Sequence, residues 1–425
     1  MRIGNRGIRS CRESALTMSE ASQIHFGAQT NAIRERMVRL KRNLARFPGA
    51  ERTAAALAST FDRWREHTSP ERRAAIAKIA AASQWSTQLL NESIDSLLAP
   101  FSRDALMSFA SNVLPHARLG GFIMPGNVPG AGMHELAAAL ISGAAAMVKT
   151  SNREPEFFSA FAQTLRIIDP IIGSLVEVAT FGREHEDLAR LMIEECDFIV
   201  ALGDDASLAR LTGSARLFGF GSRAGGALIS LATPANLPRL ATAIARDVVL
   251  FEQQGCLSPH HIFIEDADRA HARDFAGSLA GTLTSFAATL PPARLSVHTA
   301  AAIRRVRERA RWRGIGAQPV ELFEGAGMSW TVVLDPSARF TISPGYRTVT
   351  VSWIRDGDDF ASRLAPVAGR LEAFALAAPA ASRAGFLDVL AGAGVTYVCD
   401  PGKMQSPPLN WPHGGGAFLD FVAAR

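Results

Sequence analysis

From residue 119 onward, short apolar runs alternate with stretches of helical periodicity, and this alternation limits the possible folds more than any other feature of the chain. The runs are Gly120–Met124, Ala146–Lys149, Leu175–Thr180, Phe198–Leu202 and Gly226–Leu231. Strands apolar on both faces belong to parallel sheets covered on both sides by crossover helices. The covering helices read as His134–Ala144, Glu154–Ile168, Glu184–Glu195, Ala206–Ser214 and Pro238–Phe251. Ligands of such sheets gather at the carboxyl ends of strands. The loops after Met124, Lys149 and Leu202 are therefore the first places to look for a site.

Before residue 115 the period is helical throughout. Ile33, Met37, Leu40, Leu44 and Phe47 recur on one helix face, and Ser69-Pro70-Glu71 reads as a helix start with proline at the first turn. After Phe251 come a polar loop with Cys256, a strand at His261–Glu265, an Ala-rich helix to Leu290 and further strands through Val332, Val349 and Val351. A chain of 425 residues exceeds one ordinary core. The expected division is a disordered tail over 1–17 with Met18 as the start, a helical part and first α/β domain over 18–251, a second α/β domain over 252–400, and a terminal segment over 401–425.

The net charge of +5 invites a nucleic-acid reading. Much of it sits in the tail, where Arg2, Arg6, Arg9 and Arg12 face only Glu13, so no nucleic-acid partner is expected. No apolar run suits a membrane span: Leu136–Val148 is too short, and Phe275–Ala293, filled with Gly, Ser and Thr, reads as a surface helix closed by Pro291-Pro292. Cys11, Cys196, Cys256 and Cys399 are far apart, without metal-ligand spacing. A reducing cytoplasm and no metal are expected, and the adjacent His260 and His261 would point to opposite strand faces.

Three segments could carry chemistry. Cys256 follows Gln253-Gln254-Gly255 in a loop between helix and strand, where backbone N–H groups can activate a thiol; a free cysteine is otherwise a small buried hydrophobe. Pro125-Gly126-Asn127-Val128-Pro129 ends the first strand. Read alone it is a turn, but its stiff, small backbone lets a ligand approach, and the Asn127 amide could meet an oxyanion. Lys149 ends the second strand, one of only four lysines (Lys41, Lys78, Lys149, Lys403); a lone lysine there is ordinarily solvated. Of the remaining signals, Gly203-Asp204-Asp205 reads as a helix cap, and Gly219-Phe220-Gly221 resembles a dinucleotide fingerprint only superficially.

In combination these segments resemble the aldehyde dehydrogenase superfamily, and within it the acyl-CoA reductases of the bacterial bioluminescence type. The likeness rests on Pro125-Gly-Asn-Val-Pro129, Asp197-Phe-Ile-Val200, Gln253-Gln-Gly-Cys-Leu-Ser-Pro259, Arg347-Thr-Val349 and Pro408-Leu-Asn-Trp-Pro-His413. It implies a Rossmann-like cofactor domain beside an α/β catalytic domain, with Cys256 at their junction attacking a thioester and Asn127 meeting the oxyanion. Pro125, Gly126, Lys149 and Gly203 would bind NADPH, or NADH, with Lys149 on the adenosine ribose or its 2′-phosphate. The implied substrate is an acyl-CoA, the implied partner an acyl-protein synthetase or acyltransferase, and the implied assembly a homo-oligomer.

The chain departs from the superfamily in ways that bear on chemistry. Where hydrolytic members carry a water-activating glutamate, it has Gly221-Ser-Arg-Ala-Gly-Gly226. A thioacyl enzyme should therefore exchange with thiols faster than it hydrolyses; Glu252 and Glu321 are the alternative water activators. His413 precedes Gly414 instead of the acid the family would place there, so it receives no role. Two further readings stay open: a CoA-acylating aldehyde dehydrogenase working oxidatively, and a non-redox subunit that carries an acyl group.

Overall fold

A computed structural model describes residues 20–423, apart from 84, 214, 231–235, 266–269 and 316–319. The tail expected over 1–17 lies outside the described residues. The first sheet contains β1 (Arg118–Ile123), β2 (Ala144–Thr150), β3 (Val176–Thr180), β4 (Phe198–Leu202) and β5 (Arg216–Phe220), in the order β3-β2-β1-β4-β5. All its pairings are parallel, with Ile123 beside Lys149 and Ala201. The chain builds outward from β1 to β3, then crosses to the other side for β4 and β5. That reversal separates the loops after β1 and β4 and opens a crevice at their carboxyl ends.

The second sheet contains β6 (Ala224–Ser230), β7 (Pro259–Glu265), β8 (Glu321–Glu324), β9 (Thr331–Leu334), β10 (Thr348–Ile354), β11 (Leu371–Ala377) and β12 (Tyr397–Cys399), in the order β12-β11-β6-β7-β10-β9-β8. Only β8, at the edge, is antiparallel to its neighbour. The strand read at Gly226–Leu231 as the fifth of the first series thus belongs to this sheet, between β7 and β11. The sheet changes ahead of the boundary read at residue 251. Uniform burial identifies a central strand without saying which sheet it joins. The fifth strand of the first sheet is instead β5, whose edge position leaves Arg216 and Leu217 exposed and hides it from a search for apolar runs.

The amino-terminal helices cover the first sheet. Ile33, Met37 and Leu40 of the helix Glu20–Leu44 are buried against β2 and β3. The helix Ala50–Arg65 packs on Glu156–Ile168, where Trp64 Nε1 donates to Thr164 Oγ1 at 3.0 Å. The helix read as a surface element, Ala270–Thr289, instead buries Phe275, Leu279 and Leu283 against Leu237–Val249. Its apolar side chains fall on one face, and its Gly, Ser and Thr face outward. Among the described residues, no helix is long and apolar enough to cross a membrane.

Candidate active site

The loop carrying Cys256 is held in an unusual backbone. Phe251, Glu252 and Gln253 have φ of 54°, 51° and 59°, a run of left-handed residues without glycine that costs about 1–3 kcal/mol each. Opposite them Tyr346 and Arg347 have φ of 52° and 57°. Side chains lock the two strained segments together. Arg347 Nη2 donates to Glu252 Oε1 at 2.6 Å, both side chains being buried, and Tyr346 N donates to Glu252 O at 2.9 Å. Gln253 donates to Pro259 O and Thr348 O at 2.6 and 3.0 Å and accepts from Thr348 N at 2.8 Å. Two motifs that stand apart in the sequence therefore form one rigid platform.

The thiol beyond this platform is half-buried, and Sγ lies 4.0 Å from His413 Nε2. His413 Nδ1 lies 2.7 Å from Glu135 Oε1. The imidazole is stacked between Phe220, at 4.1 Å, and Trp411, at 4.2 Å. Burial opposes a charge on this ring, but the Glu135 carboxylate and Cys256 outweigh burial and push His413 up to about 10. Burial likewise opposes charge on Glu135, yet His413 brings its carboxyl below the usual range.

Local structure delivers each member of this group. Glu135 sits in the first turn of the helix Met133–Ile141, entered through Gly132, whose φ of 95° requires a residue without Cβ. The irregular segment that brings His413 to the site is tied down on the way: Asp247 accepts from Gly402 N at 2.6 Å and Met404 N at 3.1 Å, Gln405 donates to Ser258 Oγ at 3.1 Å, and His134 meets Pro407 O at 2.9 Å. Gly414 N donates to the buried Glu372 at 3.2 Å.

Asn127, Pro125, Gly126, Lys149, Gly203, Glu135, Cys256 and His413 all line one pocket of about 880 Å³. The Asn127 amide donates to Gln254 O at 2.9 Å, against the cysteine loop. A Cβ on Gly126 would lie 2.5 Å from Ser151 Oγ, so the loops after β1 and β2 meet only because the residue is glycine. Lys149 is buried, its Nζ 5.3 Å from the Phe181 ring centroid; among the described residues no carboxylate pairs with it. Burial and then Arg183 lower its pKa, with Glu184 opposing. Gly203 closes the wall after β4, followed by Asp204 capping the next helix at Ser207 N.

Other sequence candidates lie elsewhere. Glu252 is committed to Arg347, and Glu321 pairs with Arg273 on the exposed edge of the second sheet. His260 and His261 are core residues, held by Ser343 and Ser352. The contact of His413 with Glu135 was missed: an acid in a first helical turn already has a local explanation in the helix dipole, and no local pattern points to a partner so distant in sequence.

A family-wide sequence pattern described as acyl-CoA reductase (LuxC) matches residues 50–424. The chain belongs to this family. Long-chain acyl-protein thioester reductases are relatives of this LuxC-family chain: that of Photorhabdus laumondii is 28% identical over 202 residues, covering 45% of this chain and 41% of its own. That of Aliivibrio fischeri is 24% identical over 244 residues, covering 55% and 48%. The chain thus spans about half the length of the curated relatives it matches. The LuxC-family fold is that of the aldehyde dehydrogenases. An NAD-dependent benzaldehyde dehydrogenase from Corynebacterium glutamicum superposes with a TM-score of 0.70 at 14% identity, over 92% of this chain and 87% of the other. A putative aldehyde dehydrogenase from Anabaena variabilis does so with 0.63 at 18%, over 90% and 85%.

Proposed function

We propose that this chain reduces an acyl thioester to an aldehyde through a thioacyl intermediate on Cys256. The observation that carries the reading is that Cys256 and Asn127 open into the same pocket as the strand-end residues Lys149 and Gly203. Cys256 Sγ attacks the carbonyl carbon, and the donor sulfur leaves with a proton as a free thiol. The oxyanion formed on the way meets the Cys256 N–H and the amide of Asn127, whose second N–H remains for it. Both acyl-CoA and an acyl group borne on a protein fit this chemistry. The names of the relatives favour the second; an acyl-protein synthetase or acyltransferase would then be the partner that supplies the acyl group.

The pocket fits a nicotinamide dinucleotide. Open backbone at Gly203 and a buried cation at Lys149, which among the described residues has no carboxylate paired with it, put anion-binding groups at strand carboxyl ends. Pro125, Gly126 and Gly203 would hold the diphosphate region, and Lys149 the adenosine ribose. With Arg183 nearby, the charge at Lys149 favours a 2′-phosphate, hence NADPH over NADH. The bound group supplies hydride to the acyl carbon.

The test is reductant consumption and aldehyde formation with a panel of acyl-CoAs, using NADPH and NADH in parallel. Intact mass measurement without reductant accompanies it. The expected results are an acyl adduct on the Cys256 peptide and aldehyde only when reductant is added. An adduct with neither reductant giving aldehyde would indicate a non-redox acyl carrier.

A further inference from the structure

We propose that His413 is the acid–base catalyst for acyl transfer to and from Cys256, and that Glu135 is the positioning residue that orients it. The proposal rests on Cys256 being the acylated residue. Its basis is a chain of contacts from three distant parts of the sequence. Nε2 of His413 faces Sγ at 4.0 Å while Nδ1 is held by Glu135 at 2.7 Å, so each ring nitrogen has one assigned neighbour. Phe220 and Trp411 lie nearly parallel to the ring on its two sides, at 19° and 22°, and prevent it from turning away. Glu135 is buried and spends its charge on His413. A nucleophile, a base and a third group that orients the base make an arrangement recognised by geometry rather than sequence order.

The charged groups around the ring agree with this assignment. Helix Met133–Ile141 presents Glu135 and also His134, which burial lowers and so keeps neutral near pH 7. From β11 comes Glu372, which meets the backbone of Gly414 and is itself beside Arg223 at 3.4 Å. Cys256 completes the surroundings. The carboxylate on Nδ1 favours the imidazolium, which is the form able to give a proton to a leaving thiolate.

The proton balance is closed. Cys256 reacts as the thiolate, its proton having passed to Nε2 of His413; as the Sγ–carbon bond forms and the donor carbon–sulfur bond breaks, the imidazolium gives that proton to the departing sulfur, leaving a neutral ring and a thioacyl enzyme. In the reverse direction the neutral ring takes the proton of an incoming thiol, which attacks the same carbon and expels Cys256. The carboxylate that water-activating relatives place in sequence before the nucleophile is thus replaced here by a histidine reached from the other end of the chain, with its carboxylate behind it.

The test is the rate of acylation by acyl-CoA without reductant, followed by intact mass from pH 6 to 10 in wild type, H413N, E135Q and E135D. H413N should acylate about 10²- to 10⁴-fold more slowly, the usual share of a general acid or base. E135Q should lose the high-pH limb first, because His413 then gives up its proton closer to its ordinary value; E135D should restore part of the wild-type profile. Wild-type acylation rates in H413N, or an unchanged pH profile in E135Q, would overturn the proposal. If a variant does not fold, the imidazole NMR signals of wild type decide: His413 titrating near its ordinary value overturns the assignment, and one staying charged toward pH 10 supports it. Failure of wild type to be acylated on Cys256 would instead overturn the thioester reading itself.

Discussion

Glu135 Oε1, buried, and His413 Nδ1, on a half-buried side chain, lie 2.7 Å apart across 278 positions of the chain. Such a pair ties stability to pH in a definite direction. His413 has a folded pKa raised to about 10, so its contribution is fully present below its ordinary value and is lost as pH rises through about 10. Glu135 is lowered, so its contribution is present above the ordinary carboxylate range and is lost as pH falls below that range through its lowered folded value. Urea unfolding of wild type and H413N should show the widest gap in midpoint near neutrality, narrowing toward pH 10.5 and toward pH 4. A gap independent of pH would show that the pair contributes packing alone.

Replacement of Cys256 by alanine should abolish thioester-dependent reductant oxidation while leaving nicotinamide binding nearly unchanged, because the covalent step is lost and the crevice between β1 and β4 is not. Steady-state rates with an acyl-CoA, together with a binding titration of NADPH, check both halves. Turnover within tenfold of wild type would remove Cys256 from the mechanism.

Asn127→Ala should lower kcat by roughly 10²- to 10³-fold, the typical cost of one lost oxyanion donor. Its amide also holds Gln254 O at 2.9 Å, so the loop contact disappears with it. Asn127→Asp, which keeps the size but presents an acceptor, should be at least as slow. Full activity in that variant would assign the residue to the turn alone.

The pair Glu252–Arg347 should matter more for folding than for chemistry. Glu252→Gln leaves the Arg347 guanidinium buried, with Nε and Nη1 already lacking partners, and should cost about 3–5 kcal/mol. Replacing both residues by Met and Leu should recover much of the loss. Thermal melts of the two single variants and the double variant measure the coupling.

Gly225 lies beneath the cysteine loop: a Cβ there would stand 2.7 Å from Leu257 O and 2.9 Å from Ser258 O. Gly225→Ala must push that backbone. It should destabilise by about 1–3 kcal/mol and slow acylation by up to 10²-fold, since a displacement of about 1 Å suffices for such a loss. Acylation rate and melting temperature, measured together, separate the two effects.

Legibility in the sequence followed the range over which each feature is encoded. Strands β1, β2 and β4 announce themselves because a central strand buried on both faces has little room for polar residues, whereas the edge strand β3 is legible only through the apolar residues around Glu177. The edge strand β5 does not announce itself, and β6 reads as a central strand without naming its sheet. Asn127, Lys149 and Cys256 were legible as candidates because each stands at the end of an element with a recognisable local reason, and all three line the same pocket. Gly414 argued against any role for His413, since no acid follows it. The acid arrives through space, from a helix that needs a glutamate in its first turn for reasons of its own.

The sandwich of His413 between Phe220 and Trp411 also has an optical meaning. An indole stacked at 4.2 Å on an imidazole senses whether that ring is charged, because a cation over an aromatic face alters the electrons of the face. The part of the emission that is lost on Trp411→Phe, out of that of six tryptophans, should therefore gauge the proton inventory beside the sulfur without any label attached to the protein.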